Sequence, residues 1–255
     1  MASFKGSDGK GPGGGKRALH VRVKTAKKRS VSSARWLERQ LNDPYVHAAT
    51  RDGFRSRAAY KLKELDDKYH LLKPGNRIVD LGAAPGGWSQ IAVAKVGALD
   101  GKGAGKGQVI AIDIDPMEQL PGVHMLHLDF MAPEADSILK GLLRGGRADG
   151  VLTDMAAPTV GHKRTDHLRI MGLAEAAAHF AVDVLEPGGW FLAKVFQGGS
   201  QSAMLDLLKQ DFATVRHVKP PASRSDSAEL YVLATGFRHR DQREGGRGEA
   251  NEGDE

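Results

Sequence analysis

A lysine interrupts the apolar run FLAKVF at position 194. An unpaired ammonium in such a strand is costly to bury, so Lys194 needs a carboxylate partner. Four β-type runs each bring an acid to their carboxyl end: Asp80, Asp113, Asp129 and Asp154. A carboxylate in Asp113's place, closing a second strand, suits the two hydroxyls of a ribose. Asp154 closes a fourth run, next to the one that carries Lys194. Between the first run and its helix lies VDLGAAPGGWSQIAVA, with Gly82, Gly86 and Gly87 spaced G-x-x-x-G-G. A strand-to-helix turn of small residues lets backbone pass close to a ligand. This spacing differs from the dinucleotide fingerprint G-x-G-x-x-G, which makes a nicotinamide dehydrogenase a poor reading.

The elements that must hold these residues follow from the pattern beyond Pro74-Gly75. β-type runs occur at 77–81, 108–113, 123–129, 149–155 and 189–196, with helical stretches near 87–96, 134–143, 166–186 and 200–211. Strands alternating with helices imply right-handed βαβ units and a parallel sheet. Two last runs, 214–219 and 229–237, have only a short polar connection, too short for a crossover helix, and should pair antiparallel. Glu229 opens the final run. If that strand opposes the others, its beginning lies at their carboxyl edge, and Lys194, Asp154 and Glu229 converge beside the glycine turn. The expected architecture is α/β: a mostly parallel seven-stranded sheet, its last strand antiparallel, helices on both faces. With acids at successive strand ends this is the layout of a class I S-adenosylmethionine-dependent methyltransferase.

Upstream, SSARWLERQLNDPY reads as a helix with Ser32 and Ser33 as candidate N-caps and a stop near Pro44. A second helix in RSRAAYKLKELDDKYHLL puts Ala58, Leu62, Leu65 and Tyr69 on one face and concentrates Arg55, Arg57, Lys61 and Lys63.

The chain has 255 residues, 37 Lys plus Arg against 31 Asp plus Glu, and no cysteine. The net charge of +6 is unevenly placed. Residues 1–30 carry nine basic residues and only Asp8, residues 238–255 are acidic by two, and residues 31–237 are balanced. The Gly/Lys-rich arm 1–30 reads as disordered and suited to phosphates, and the tail 238–255 as disordered and polar. The domain proper is 31–237, and the loop 97–107 is Gly-rich surface. Without cysteine there is no disulfide framework, thiolate zinc site or thiol nucleophile, and a cytoplasmic protein is expected. The longest uncharged stretch, Leu81 to Ala94, is broken by Pro85, Gly86 and Gly87, so no membrane span is expected. His124 and His127 point to opposite faces of one strand, and no metal site is expected.

The stretches SSARWLERQLNDPYV, RSRAAYKL, VDLGAAPGGWSQ, LEPGGWFLAKVFQG and SRSDSAELYVLATG, with the acids at 129 and 154, resemble the FtsJ-type family of ribose 2′-O-methyltransferases that modify a uridine of large-subunit (23S) ribosomal RNA. The resemblance covers about 31–237. It implies a Lys-Asp-Lys-Glu tetrad at Lys61, Asp154, Lys194 and Glu229, all present. It implies S-adenosylmethionine contacts at Gly86, Trp88, Asp113, Asp129 and Asp154. The expected partner is large-subunit ribosomal RNA, or the assembled or assembling large subunit, with Arg55, Arg57, Lys63 and the arm toward RNA and the protein a monomer. In the expected reaction Lys194 meets the 2′-oxygen, as base or as electrostatic stabiliser, oriented by Asp154 and Glu229. The same reaction on transfer RNA is the alternative substrate reading. A non-catalytic ribosome-assembly factor is the alternative class, and it has no use for a lysine in an apolar strand.

Overall fold

The computed structural model describes residues 21, 22, 25, 30–99, 106–156, 161, 163–197 and 202–238; most of the arm, residues 100–105 of the surface loop and the tail from 239 onward lie outside them. Seven strands join in one sheet: β1 (Arg77–Leu81), β2 (Gln108–Asp113), β3 (Val123–His127), β4 (Ala148–Thr153), β5 (Leu185–Phe196), β6 (Phe212–Val218) and β7 (Glu229–Phe237). Their order is β3-β2-β1-β4-β5-β7-β6. The pairs among β1 to β5 are parallel, and β7 runs antiparallel between β5 and β6. The expected sheet, with its single reversed strand, is the one observed.

Alternation along the strands sorts the core into two layers. Val79, Leu81, Ile110, Ile112, Val151, Phe191, Ala193, Val195 and Val232 face α5 (Ala135–Leu142), α6 (Lys163–Val184) and α7 (Ser202–Asp211). Ile78, Val109, Leu152, Trp190, Leu192, Tyr231 and Leu233 face α3 (Ala59–Tyr69) and α4 (Gly87–Val96). Asp80, Asp154, Lys194 and Glu229 share the parity of this second set, so all four belong to the α3/α4 side.

Two helices precede α3: α1 (Val31–Leu41) and α2 (Pro44–Asp52). Ser30, not Ser32 or Ser33, caps α1, accepting the Ser33 N–H at 3.2 Å. Pro44 ends nothing. It opens α2 at N1, where the missing N–H costs no helical bond, and Asp43 caps that helix by accepting from Tyr45 N. Strand ends move slightly too. β3 stops at His127, two residues short of Asp129, and β4 at Thr153, one short of Asp154.

Asp80 departs from its expected place on the open sheet edge. It lies inside β1, 1% exposed, and accepts a hydrogen bond from Ser89 Oγ of α4 at 2.6 Å. Its other oxygen is buried with no partner among the described residues. Burial pushes this carboxyl up to about 7, helped by the charges of Asp154 and Asp113 and opposed by Ser89. The folded chain therefore holds a proton that the unfolded chain releases near pH 4, and stability falls as pH rises from about 4 through about 7. Asp80→Asn removes this dependence. In urea denaturation the variant should match wild type near about pH 4.5 and exceed it by roughly 3–4 kcal/mol near about pH 8. A difference independent of pH would overturn the assignment.

Candidate active site

Strand register places the site before any side chain is considered. Leu81 pairs with Ile112 and with Thr153, Thr153 with Ala193, and Lys194 with Tyr231. One residue further along each parallel strand, Asp113, Gly82, Asp154 and Lys194 stand in a single row across the carboxyl edge, continued by Tyr231 on β7. Parity turns Asp154, Lys194 and Tyr231 to the α3 side, where Lys61 projects from the helix.

The four expected residues meet there. Lys194 Nζ lies 3.2 Å from Asp154 Oδ1 and donates to the Asp154 carbonyl at 2.5 Å. Lys61 Nζ is 2.8 Å from Glu229 Oε1 and 3.8 Å from Asp154 Oδ2. Two ammonium and two carboxylate groups thus balance in a largely buried cluster. Burial pushes the Asp154 carboxyl up, but Lys194, Lys61 and the hydrogen bond from Tyr231 outweigh it and hold it below the usual carboxylate range.

A fifth member, Tyr231, was not among the expected residues. Its hydroxyl accepts from Lys61 Nζ at 3.0 Å and sits 2.9 Å from Asp154 Oδ1 and 3.3 Å from Glu229 Oε1. Burial, then the charges of Asp154 and Glu229, push the phenol well above its ordinary range, so it stays a donor. Its signal in the sequence was parity, two residues beyond Glu229 on the same strand face. Ser223 Oγ donates to Glu229 Oε1 at 3.0 Å, and nothing in the sequence pattern marked it.

The glycine turn borders this row. Gly82 has φ +75°, and a Cβ there would lie 2.4 Å from Met155 Cγ, so the turn packs directly on the chain leaving β4. Asp113 accepts the Ala84 N–H with one oxygen and the Asp115 N–H with the other, both at 2.8 Å. The carboxylate is thereby fixed beside the turn while keeping lone pairs for a ligand. Asp129 is exposed and accepts from Met131 N at 2.9 Å. Gly86, at φ +106°, caps α4. Trp88 is only 3% exposed; its indole donates to Ala58 O at 2.8 Å and its ring lies 5.7 Å from that of Tyr231.

The basic residues near α3 divide into separate tasks. Arg55 reaches the carbonyls of Pro85 (3.2 Å), Glu118 (2.8 Å) and Gln119 (2.8 Å), splinting the glycine turn to the loop after β2. Arg57 pairs with Asp43 at 3.0 Å and donates to Ala222 O at 2.6 Å, steadying the connection that leads into Glu229. Both guanidinium groups are occupied by the protein itself. The Lys63 side chain is 45% exposed and pairs with Asp67 at 2.8 Å, one helical turn away.

The family model for FtsJ-like methyltransferases matches residues 54–237. The chain is 63% identical over 240 residues to ribosomal RNA large subunit methyltransferase E of Parvibaculum lavamentivorans, covering 93% of this chain and 94% of the relative. It is 63% identical over 230 residues to the protein of that name from Paramagnetospirillum magneticum, covering 90% and 93%. A crystal structure from Plasmodium falciparum, provisionally described as a ribosomal RNA methyltransferase, superposes with a TM-score of 0.63 at 31% identity, covering 73% of this chain and all of the other. With the family match running from Phe54 to the last residue of β7, the chain belongs to the FtsJ-like methyltransferase family.

Proposed function

We propose that this protein methylates the ribose 2′-hydroxyl of a uridine in large-subunit ribosomal RNA. The observation that carries the reading is Lys194, held between the carboxylate and the carbonyl of Asp154 in a row that also contains the glycine turn. The relatives of high identity share one named activity, on large-subunit ribosomal RNA. We further infer a cytoplasmic monomer that meets its RNA in the assembled or assembling subunit. No helix of the described residues is long and apolar enough to cross a membrane.

The donor set fits S-adenosylmethionine. Asp113 suits the ribose hydroxyls, Asp129 the base, and the turn at Gly86 with the first backbone of α4 the amino-acid end, while Asp154 borders the reacting centre. When bound, this cofactor supplies a methyl group already activated on a sulfonium. The residues of the chain then have two tasks, to place a weak nucleophile and to manage its proton. An ammonium has three N–H donors, and Asp154 takes two from Lys194. The third is left for the 2′-oxygen, where it stabilises the charge that develops as the hydroxyl proton passes to solvent water and the methyl group arrives on that oxygen. Asp154 aims Lys194, and Tyr231 holds Asp154. Lys61, bonded to Glu229 and Tyr231, keeps the carboxylates apart and adds positive charge to the cluster.

Lys194→Ala should lower the methyl-transfer rate by about 10³-fold or more, with S-adenosylmethionine affinity in calorimetry near wild type. Retained turnover would remove Lys194 from the chemistry. Tyr231→Phe keeps the ring in its packing and deletes the phenolic link; a rate loss of roughly ten- to a hundredfold at unchanged cofactor affinity is expected. The substrate is tested by offering labelled cofactor with purified large subunits, naked ribosomal RNA and transfer RNA, then locating the methyl group. Label at a ribose 2′-oxygen of large-subunit RNA is expected. Label confined to transfer RNA overturns the substrate assignment.

A further inference from the structure

Helix α1 carries a surface that the catalytic cluster does not use. Val31, Arg35, Trp36 and Arg39 are all exposed, and at 100° per residue they fill one continuous arc of the helix. Trp36 is 53% exposed. Its indole makes no ring or cation contact among the described residues, and neither Arg35 nor Arg39 has an ion-pair partner among them. An indole face beside two unpaired guanidinium groups lacks the neighbours that a core-forming tryptophan would have.

Two further observations say what it faces. Val21 is pinned beside this helix: it donates its N–H to Asn42 Oδ1 at 2.8 Å and accepts from Asn42 Nδ2 at 2.9 Å. A side-chain amide that satisfies both backbone groups of one residue fixes that residue's place, so Arg22, the next residue, lies near the end of α1. Moreover, α1 leads toward the active site. Asp43, two residues past its end, pairs at 3.0 Å with both Arg57 and Arg224, and Arg224 follows Ser223, the hydroxyl bonded to Glu229. The surface therefore sets Arg22, Arg35 and Arg39 around an indole, with Glu38 as its one acid, and is joined through one buried carboxylate to the connection that positions Glu229.

We propose that Trp36 is a stacking platform for an unpaired base of the RNA substrate, with Arg35 and Arg39 gripping the flanking phosphates. This rests on the RNA-methyltransferase reading above. Every base offers a π-face, so an aromatic ring flanked by cations holds single-stranded RNA with little sequence demand. The guanidinium groups beside the ring complement a phosphate backbone.

Tryptophan fluorescence reads the contact directly, because the other two tryptophans, Trp88 and Trp190, are 3% and 6% exposed. A single-stranded oligouridylate should quench the emission of the full-length protein and shield it from acrylamide, and an RNA duplex of equal length should do neither. Trp36→Ala should bind the oligouridylate roughly tenfold more weakly at unchanged S-adenosylmethionine affinity, while Trp36→Phe retains most of the binding. The double variant Arg35→Gln/Arg39→Gln should reduce the slope of log K against log salt by about 1.4. Oligouridylate binding by Trp36→Ala equal to wild type overturns the proposal, as does quencher access that changes on deleting residues 1–20 and not on adding RNA. So does a Trp36→Ala protein that loses affinity for whole subunits alone, which would assign the face to protein. In each of these cases methylation of large-subunit RNA by the wild type leaves the catalytic reading standing; a wild type that methylates no RNA refutes that reading instead.

Discussion

Two ammonium groups buried within one cluster repel each other and lose their hydration, and each loss is worth several kcal/mol per ion. The arrangement at Lys61 and Lys194 stands because Asp154 lies between them, with one oxygen toward each lysine. Much of the surrounding architecture serves that carboxylate. It directly follows a central strand whose last residue, Thr153, is paired with β1 on one side and β5 on the other. Tyr231 gives it a hydrogen bond from a phenol too buried to ionise. Glu229 balances Lys61, which leaves Lys194 to Asp154. Removing any one member exposes another buried charge, so the members are expected to act as a unit and their effects not to add.

The sheet was legible because it obeys two periodicities, and both are visible in residue types. Strands and helices alternate along the chain, and apolar residues alternate along the strands. The short link before Glu229 gave the direction of β7. The row of Asp113, Asp154 and Lys194 follows from those facts once neighbouring strands are aligned. Lys61 was out of reach of this reasoning, since the way a helix docks on a sheet is not written in its own period; only the resemblance brought it forward. Tyr231 was hidden for a different reason. In ELYVLATGF a tyrosine is indistinguishable from core packing, and its hydroxyl matters only after the strand is set beside β5.

The arginines near α3 have a structural task that residue type does not announce. Arg55 and Arg57 lie in a basic stretch that suggests nucleic acid, yet Arg55 reaches three backbone carbonyls and Arg57 is shared between one carbonyl and the Asp43 carboxylate. A carbonyl acceptor carries no residue type, so sequence cannot show it. The same holds for Pro44. Its missing N–H is harmful inside a helix and harmless at the first position, and the neighbouring Asp43 decides between the two.

The insertion of β7 between β5 and β6 has a consequence for how the enzyme comes into being. Among the described strands β7 comes last in the sequence and yet it is interior, with seven paired positions on β5 and six on β6. Before it arrives, β5 ends in an open edge, and Lys194 and Lys61 lack both Glu229 and Tyr231. Contacts such as Lys61 with Tyr231 span 170 residues of chain, the kind of long-range closure that slows folding. The catalytic cluster and the interior of the sheet are thus completed in the same step.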